Sequence, residues 1–227
     1  MKKHSKRYLA AKATVEEGKE LALDEALKLL QSQAKPKFDA GVEIHIKLGI
    51  DPKKADQIVR GTVNLPHGTG KIIKVAAFVP VEMVEAVKAA GADLVGGEEL
   101  VKQIKETGKT PFDIAVAHPT MMKGLGPIAK SLGQKGLMPN PRNETVTPKV
   151  AETVAALKKG KATFRSDDSG NVHMLIGRVS FPSEQLAANF QTFLDAIRKA
   201  KPVEMKGTYL VHVTVSSSMG PSVTVTV

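Results

Sequence analysis

Apolar and polar side chains alternate in several segments near the two ends of the chain. The alternation is strict over residues 42–48, and a similar one runs through 209–215 and resumes at 223–227. A period of two places successive side chains on opposite faces of a strand, so these segments predict half-buried strands. Apolar residues spaced three and four apart between Phe181 and Pro202 predict one long amphipathic helix. The two ends of the chain therefore predict an antiparallel α+β fold.

A polar turn sequence separates two further strand-like segments near the C-terminal end. Residues 167–171 read Asp-Asp-Ser-Gly-Asn and lie between the segments 163–166 and 172–179. Turn residues in such a place favour reversal of the chain between two paired strands. We therefore expect a β-hairpin here.

The middle of the chain has a different pattern. Residues 72–79 are almost continuously apolar, as expected of a strand that is buried on both faces of a parallel sheet. Strand-like segments at 94–95 and 112–117 alternate with helical segments, one near Val84 and one at 98–105. This alternation of strand and helix predicts a doubly wound α/β unit.

Segments rich in Gly, Pro or Lys mark the boundaries between these patterns. They lie at residues 66–70 and 158–161. We therefore predict a protein of mixed α/β and α+β class with two domains. A discontinuous α+β domain comprises 1–67 and 160–227, and an α/β domain, 68–159, is inserted into it.

The composition narrows the classes of function. The 227 residues include 33 Lys and Arg against 23 Asp and Glu, a formal net charge of +10, and no Cys. The absence of Cys excludes disulfides and thiolate metal sites. The basic N-terminal arm (Lys2, Lys3, Lys6 and Arg7) has no apolar stretch behind it, and no segment approaches the ~20 apolar residues of a membrane helix. We expect a cytoplasmic protein without membrane contact, whose charge favours an anionic partner, most often nucleic acid.

The sequence contains no convincing catalytic or cofactor-binding pattern. Residues 68–71 are similar to the end of a P-loop, but Leu65 and Ile72 stand where that motif needs Gly and a hydroxyl residue. Residues 124–129 have a dinucleotide-binding spacing, but they follow the third strand of the middle unit and contain Pro127. The six His residues share no metal-ligand spacing. We therefore expect no enzyme activity, no catalytic residue, no metal and no cofactor.

Three segments have residues that suit contact with RNA. Residues 216–221 interrupt a strand pattern with small hydroxyl residues and Gly. Such residues allow the backbone to approach phosphates and 2′-hydroxyls closely. The alternative is that this segment is only a bend between two strands. Phe38 follows lysines at the start of a strand, where it could stack on a base, although a Phe in that place is more often core. The loop 132–141 could present Lys130 and Lys135 to phosphates or serve only as a rigid connection.

Five motifs occur in an order and at separations that are typical of one family. They are KLGIDP at 47–52, RGTVNLPHG at 60–68, GADLVGG at 91–97, LGQKGLMPNP at 132–141 and SSMGPS at 217–222. Together they resemble the L-one family of ribosomal proteins, in its bacterial form. These are the proteins of the mobile side stalk of the large ribosomal subunit.

The resemblance implies both a fold and a set of partners. The family has a discontinuous first domain and an inserted, Rossmann-like second domain. The first domain carries the main binding surface for large-subunit rRNA. Members of the family also bind a similar RNA structure on their own mRNA and repress its translation. The stalk lies near the exit-site tRNA and assists the release of deacylated tRNA. We therefore expect a structural constituent of the large subunit that is a monomer when free of the ribosome.

The resemblance also assigns RNA contacts to individual positions. The primary positions are Lys37, Phe38, Asp167, Ser217, Ser218, Met219 and Gly220, and the secondary ones are Lys130 and Lys135. Two departures from the family are present. Ala40-Gly41 stands where the family often has Thr or Ser, which removes a hydroxyl group. Serines stand where the last motif often has Thr, which keeps the hydroxyl but removes a methyl group.

Other functions stay open at this point. One is a nucleotide-using enzyme built on the middle domain, which the two failed glycine motifs disfavour. Another is a basic protein that binds RNA without specificity. In the favoured interpretation, lysines attract RNA of any sequence, and the packing of Phe38 and Met219 against it adds specificity for RNA shape.

Overall fold

The computed structural model describes residues 5–15, 18–33, 36–203, 205 and 207–226. Lys2 and Lys3 of the basic N-terminal arm, and residue 227 at the end of the last strand-like segment, lie outside these residues. The backbone separates into two compact units. The first combines the residues up to Gly70 with those from Thr163 onward, and the second is Lys71–Ala162. Mixed helix and sheet content, as predicted, is confirmed.

The helices and strands alternate irregularly along the chain, with short 3-10 turns between some of them. In chain order they are α1 (Lys6–Ala13), β1 (Glu20–Leu21), α2 (Leu23–Gln33), β2 (Gly41–Leu48), β3 (Arg60–Asn64), β4 (Val75–Phe78), α3 (Val84–Ala89), β5 (Leu94–Gly96), α4 (Glu98–Thr107), β6 (Ile114–Ala117), α5 (Ala129–Gln134), α6 (Val150–Lys159), β7 (Lys161–Arg165), β8 (Asn171–Arg178), α7 (Ser183–Lys199), β9 (Leu210–Ser217) and β10 (Ser222–Val225). Among the described residues, no helix is both long and apolar enough to cross a membrane.

One sheet dominates the first unit, and we call it the large sheet. Its strand order is β1-β10-β9-β2-β8, and all neighbours are antiparallel except β1 and β10. The apolar residues of β2 (Val42, Ile44, Ile46 and Leu48) are all buried, which confirms the predicted half-buried strand. Helices α2 and α7 pack on this core face. The stripe of α7 (Leu186, Phe190, Phe193 and Ile197) is buried as well, as its spacing predicted.

The predicted β-hairpin around residues 167–171 is wrong. The turn exists, since the N–H of Gly170 donates to the carbonyl of Asp167 at 3.1 Å. However, β7 pairs with β3 in a separate two-stranded sheet, whereas β8 pairs with β2 at one side of the large sheet. Alternation along a strand predicts which side chains are buried, but it carries no information about the partner strand. The turn therefore passes the chain from one sheet to another.

The second unit contains a parallel sheet in the order β5-β4-β6. All four residues of β4 are buried. One apolar cluster, with residues from α4 and α5, covers one face, and another, with residues from α3 and α6, covers the other. The sandwiched parallel strand is thus confirmed, but it is shorter than the predicted 72–79. Ile72 precedes the strand and is 88% exposed.

Asn189 is a fully buried polar residue on α7 that joins three parts of the first unit. Its Nδ2 donates to the carbonyls of Ile176 (2.7 Å) and Gly68 (2.9 Å), and its Oδ1 accepts from the N–H of His67 at 3.2 Å. A buried backbone group without a partner costs free energy, so one amide satisfies three groups that helix and strand leave unpaired. Asn189 therefore fixes the position of the 67–68 segment against α7 and β8.

We expect Asn189→Ala to lower the free energy of unfolding of the protein by about 2–3 kcal/mol. It leaves the buried carbonyl of Ile176 unsatisfied, at about 1–3 kcal/mol, together with two partly buried backbone groups whose loss costs less. Gln191→Ala, at an exposed position of the same helix, is the matched control and should change it by less than about 0.5 kcal/mol. Urea unfolding followed by circular dichroism measures both. Equal losses for the two variants would contradict the role given to Asn189.

Candidate nucleic-acid interface

The turn between β9 and β10, with the last residue of β9, contains four of the seven predicted primary contact residues. Ser217 ends β9 and is buried, while Ser218 and Met219 are exposed, the latter to 54%. The N–H of Gly220 donates to the carbonyl of Ser217 at 2.9 Å, which closes the turn. The turn therefore holds Met219 at its tip with the apolar side chain in solvent.

Ser218 fastens this turn to the start of β2. Its N–H donates to the carbonyl of Gly41 at 3.0 Å, and its Oγ accepts from the N–H of Gly41 at 3.1 Å. The side chain thus continues the β2–β9 pairing beyond Ser217, which pairs with Val42. A turn held by hydrogen bonds on a neighbouring strand loses little conformational freedom on binding, which favours it as a recognition surface.

Phe38 lies three residues before the strand that Gly41 begins. Its side chain is 54% exposed, so the alternative that it belongs to the core is wrong. The neighbouring Asp39 is tied down, because its carboxylate accepts from the N–H and the hydroxyl of Ser180 and its carbonyl accepts from Arg178. The expected start of the strand at Phe38 is also wrong, since β2 begins at Gly41. Phe38 and the exposed Lys37 therefore stand on an anchored segment at the same end of β2 as Ser218.

Helix α1 adds residues that are not among the predicted contacts. Arg7 and Tyr8 line a shallow depression together with Pro36, Met219 and Gly220. Ser5 caps the helix by accepting from the N–H of Tyr8 at 3.3 Å. The basic residues of this segment are the only feature of the sequence that indicates a contact with RNA here. The helix itself is not revealed by periodicity, because it is short, and with Leu9 exposed it has no apolar stripe.

Asp167 lies at the other end of β2. Its loop joins β8 at Asn171, which pairs with Lys47, whereas Gly41 pairs with Arg178. Six residues of strand separate the two ends by about 20 Å, at about 3.4 Å per residue. The structure therefore does not bring Asp167 next to Ser217–Gly220.

The carboxylate of Asp167 organises its own loop. It accepts from the N–H groups of Ser169 (2.9 Å) and Asn171 (2.7 Å) and from Nδ2 of Asn171 at 3.1 Å. Burial acts to raise the pKa of Asp167, but the hydrogen bonds from Asn171, Ser169 and His173 outweigh it and lower the pKa to about 2. Asp167 is thus ionised at neutral pH and holds the loop shape.

The face of the large sheet opposite its core connects these two ends. From β2, β8, β9 and the residue that follows β9, it carries Gly41, Glu43, His45, Lys47, Asn171, His173, Leu175, His212, Thr214, Ser216 and Ser218. We call it the polar face. A Cβ atom on Gly41 would meet Leu175 Cδ1 at 2.6 Å and Ser218 Oγ at 3.1 Å, so Gly41 lets these side chains lie over the backbone.

Lys130 and Lys135 are exposed in the second unit, on α5 and directly after it. Lys135 Nζ donates to Thr110 Oγ1 at 2.8 Å, which orients that ammonium group. Among the described residues, no group of three or more His, Asp and Glu side chains could hold a metal ion.

We expect Gly220→Ala to lower the free energy of unfolding by about 1 kcal/mol or more, because overpacking typically costs about 1–3 kcal/mol. A Cβ there would lie 2.3 Å from the buried Ser217 Oγ. Gly133→Ala is the matched control, since a Cβ at that helical position meets no atom within 4 Å. It should raise the same free energy by up to about 1 kcal/mol through helix propensity. Urea unfolding of both variants tests this, and a stabilised Gly220→Ala would contradict it.

Comparison with known proteins identifies the family. Residues 29–221 match the model of the Ribosomal protein L1p/L10e family. The chain is 49% identical to the large ribosomal subunit protein uL1 of Kosmotoga olearia, over 98% of this chain and 96% of that one. It is 48% identical to the proteins of the same name from Mesoplasma florum, over 99% of each chain, and Laribacter hongkongensis, over 99% of this chain and 96% of that one.

These matches cover nearly the whole chain, including β2, the β9–β10 turn and the second unit. They confirm the resemblance drawn from the five motifs. The chain belongs to the Ribosomal protein L1p/L10e family, whose members are structural components of the ribosome and not enzymes.

Proposed function

We propose that this protein is a constituent of the large ribosomal subunit and binds structured rRNA through the end of the large sheet that carries Phe38 and Met219. The observation that carries the proposal is the exposure of these two large apolar side chains beside a turn that Ser218 fixes to Gly41. Family membership supports the ribosomal setting. Exposed apolar side chains on rigid backbone are suited to packing against unstacked bases and riboses.

Each element of the contact has a distinct role in this proposal. Lys37 and Arg7 attract the phosphates, which adds affinity for RNA of any sequence. Phe38 and Met219 pack against the RNA, and the hydroxyl of Ser218 and the backbone of Gly220 approach it closely because neither carries a large side chain. Specificity then arises from RNA shape and 2′-hydroxyl positions.

Ser217 and Asp167 act by positioning in this proposal. The side chain of Ser217 is buried at the base of the turn, so it supports the backbone that the RNA meets. The carboxylate of Asp167 repels phosphates, and its hydrogen bonds are directed into its own loop. Asp167 therefore shapes a second border of the polar face, at the opposite end of β2 from Met219.

We further propose that the two compact units are the two domains of the family. The discontinuous α+β domain would be 1–67 with 160–227, and the Rossmann-like domain would be 68–159. The compact units divide at Gly70 and Ala162, a few residues from both predicted boundaries. The parallel sheet of the second unit, with helices on both faces, supports the Rossmann-like description.

We also propose, from membership of the family, roles in mRNA binding, in secondary rRNA contacts and in tRNA release. The same surface would bind a similarly folded segment of the protein's own mRNA and so repress its translation. Because one site cannot hold two RNAs at once, rRNA and mRNA would compete for it. Lys130 and Lys135 would add secondary rRNA contacts from the second unit. In the stalk the protein would lie near exit-site tRNA and assist its release, and it would be a monomer when free.

We expect Phe38→Ala and Met219→Ala each to raise the Kd for a bacterial side-stalk rRNA fragment by about fivefold or more. Stacking of a base on an aromatic ring, or burial of a Met side chain, is worth about 1–3 kcal/mol. Val203→Ala is the matched control, because Val203 is fully exposed elsewhere in the first unit. Filter binding or fluorescence anisotropy measures the three affinities. If Phe38→Ala and Met219→Ala bind like the control, the proposed surface is wrong.

Comparison of two RNAs of equal length separates specific from non-specific binding. We expect the side-stalk fragment to bind more tightly than a scrambled RNA at physiological salt, while both affinities fall as salt rises. Lys37→Met should reduce the slope of log Kd against log salt by about one, as expected for the loss of one phosphate contact. Equal affinity for the two RNAs would mean that the protein binds RNA only through its charge.

A further inference from the structure

Two histidines on the polar face stand directly opposite one another on neighbouring strands. His45 of β2 pairs in register with His173 of β8. Their Nδ1 atoms are 2.9 Å apart, and the rings meet at an interplanar angle of 65°. In this arrangement the Nδ1–H of one ring donates a hydrogen bond to the Nδ1 lone pair of the other, so a single hydrogen lies between the two nitrogens.

The outer nitrogen of each ring also has a partner. His45 Nε2 lies 3.0 Å from Ser216 Oγ, and His173 Nε2 lies 3.4 Å from Asp167 Oδ2. Histidines that ligate metals usually have such a partner on the second nitrogen, because it fixes the orientation of the ring and its tautomer. The contact of His173 with a carboxylate is of the kind that raises the basicity of a ligating imidazole.

We propose that His45 and His173 form a cross-strand chelate site for a divalent transition metal ion. The ion binds both Nδ1 atoms, and the hydrogen that they share moves to the Nε2 atom of the ring that carried it. The two imidazoles are the protein ligands, because no further His, Asp or Glu among the described residues completes a three-ligand group. Water fills the remaining coordination positions of the ion. The site does not depend on RNA, so it stands apart from the proposed function.

The spacing of the two nitrogens allows one ion to bind both, once each ring turns so that its lone pair points at the ion. With metal–nitrogen distances of about 2.0–2.1 Å, the observed 2.9 Å gives an angle of about 90° at the ion. A tetrahedral ion such as Zn²⁺ would need the nitrogens about 3.4 Å apart at the same bond length. A right angle is the geometry of tetragonal Cu²⁺ and Ni²⁺ sites with nitrogen and oxygen ligands.

The surroundings of the pair leave it accessible to an ion. Lys47 shares the strand with His45, and its ammonium group donates to the carbonyl of Ser169 at the far end of the polar face. His173 is about half exposed, so an ion can enter from solvent.

Titration of the full chain, free of an affinity tag, with NiCl₂ at pH 7 tests the site by calorimetry. We expect one ion per protein, and we expect His45→Ala and His173→Ala each to weaken binding by more than about tenfold, since even an outer partner contributes 10- to 100-fold to metal affinity. His212→Ala, which removes an exposed histidine of the same face, is the matched control and should bind as the unaltered protein does.

Electron paramagnetic resonance of the Cu²⁺-loaded protein should show coupling to two imidazole nitrogens, reduced to one in His45→Gln. Circular dichroism of each variant checks that the fold persists. Tighter binding of Zn²⁺ than of Ni²⁺ would contradict the right-angle geometry. Loss of binding in His212→Ala, or no loss in His45→Ala and His173→Ala, would overturn the site.

Discussion

Strand β2 joins the N-terminal and C-terminal parts of the first unit, and the candidate interface depends on this pairing. It lies between β8 and β9, both of which follow the second unit in the chain. Its apolar side chains are completely buried, so its register is fixed: a slip by one residue would turn the core residues into solvent. That register places Gly41 beside Ser218 and His45 beside His173.

The interface therefore combines segments that are far apart in sequence. Phe38 enters from the N-terminal part and Met219 from the C-terminal part, and hydrogen bonds between Gly41 and Ser218 hold these segments together. Because the backbone groups at this end of the sheet are paired, the exposed side chains start from a defined geometry. An RNA partner then needs little ordering of the protein when it binds.

Part of the fold and part of the candidate interface could be predicted from the sequence. Strict alternation in β2 and the apolar stripe of α7 follow from local periodicity, because each segment has one buried face. The pairing of β7 with β3 does not follow from local periodicity, because alternation along a strand does not specify its partner strand. The exposure of Phe38 was one of two open alternatives, since an aromatic before a strand suits either core or surface.

The histidine pair and the contribution of α1 were missed for different physical reasons. His45 and His173 are 128 residues apart, so only the register of β2 and β8 brings their rings together. Helix α1 buries no residue of its own, and so it has no apolar periodicity to detect. The placement of Asp167 at the far end of β2 likewise follows from pairing and not from any local motif.

The shortness of β1 has a consequence for the behaviour of the free protein. This strand covers the outer side of β10 with only two residues, Glu20 and Leu21, and it runs parallel to β10. A sheet that ended on β10 would offer a row of unpaired backbone groups to a strand from another molecule. Two residues give an incoming strand very little to pair with, which is a recognised way to limit edge-to-edge aggregation. The β9–β10 turn can therefore stay open to RNA while the adjacent edge resists self-association.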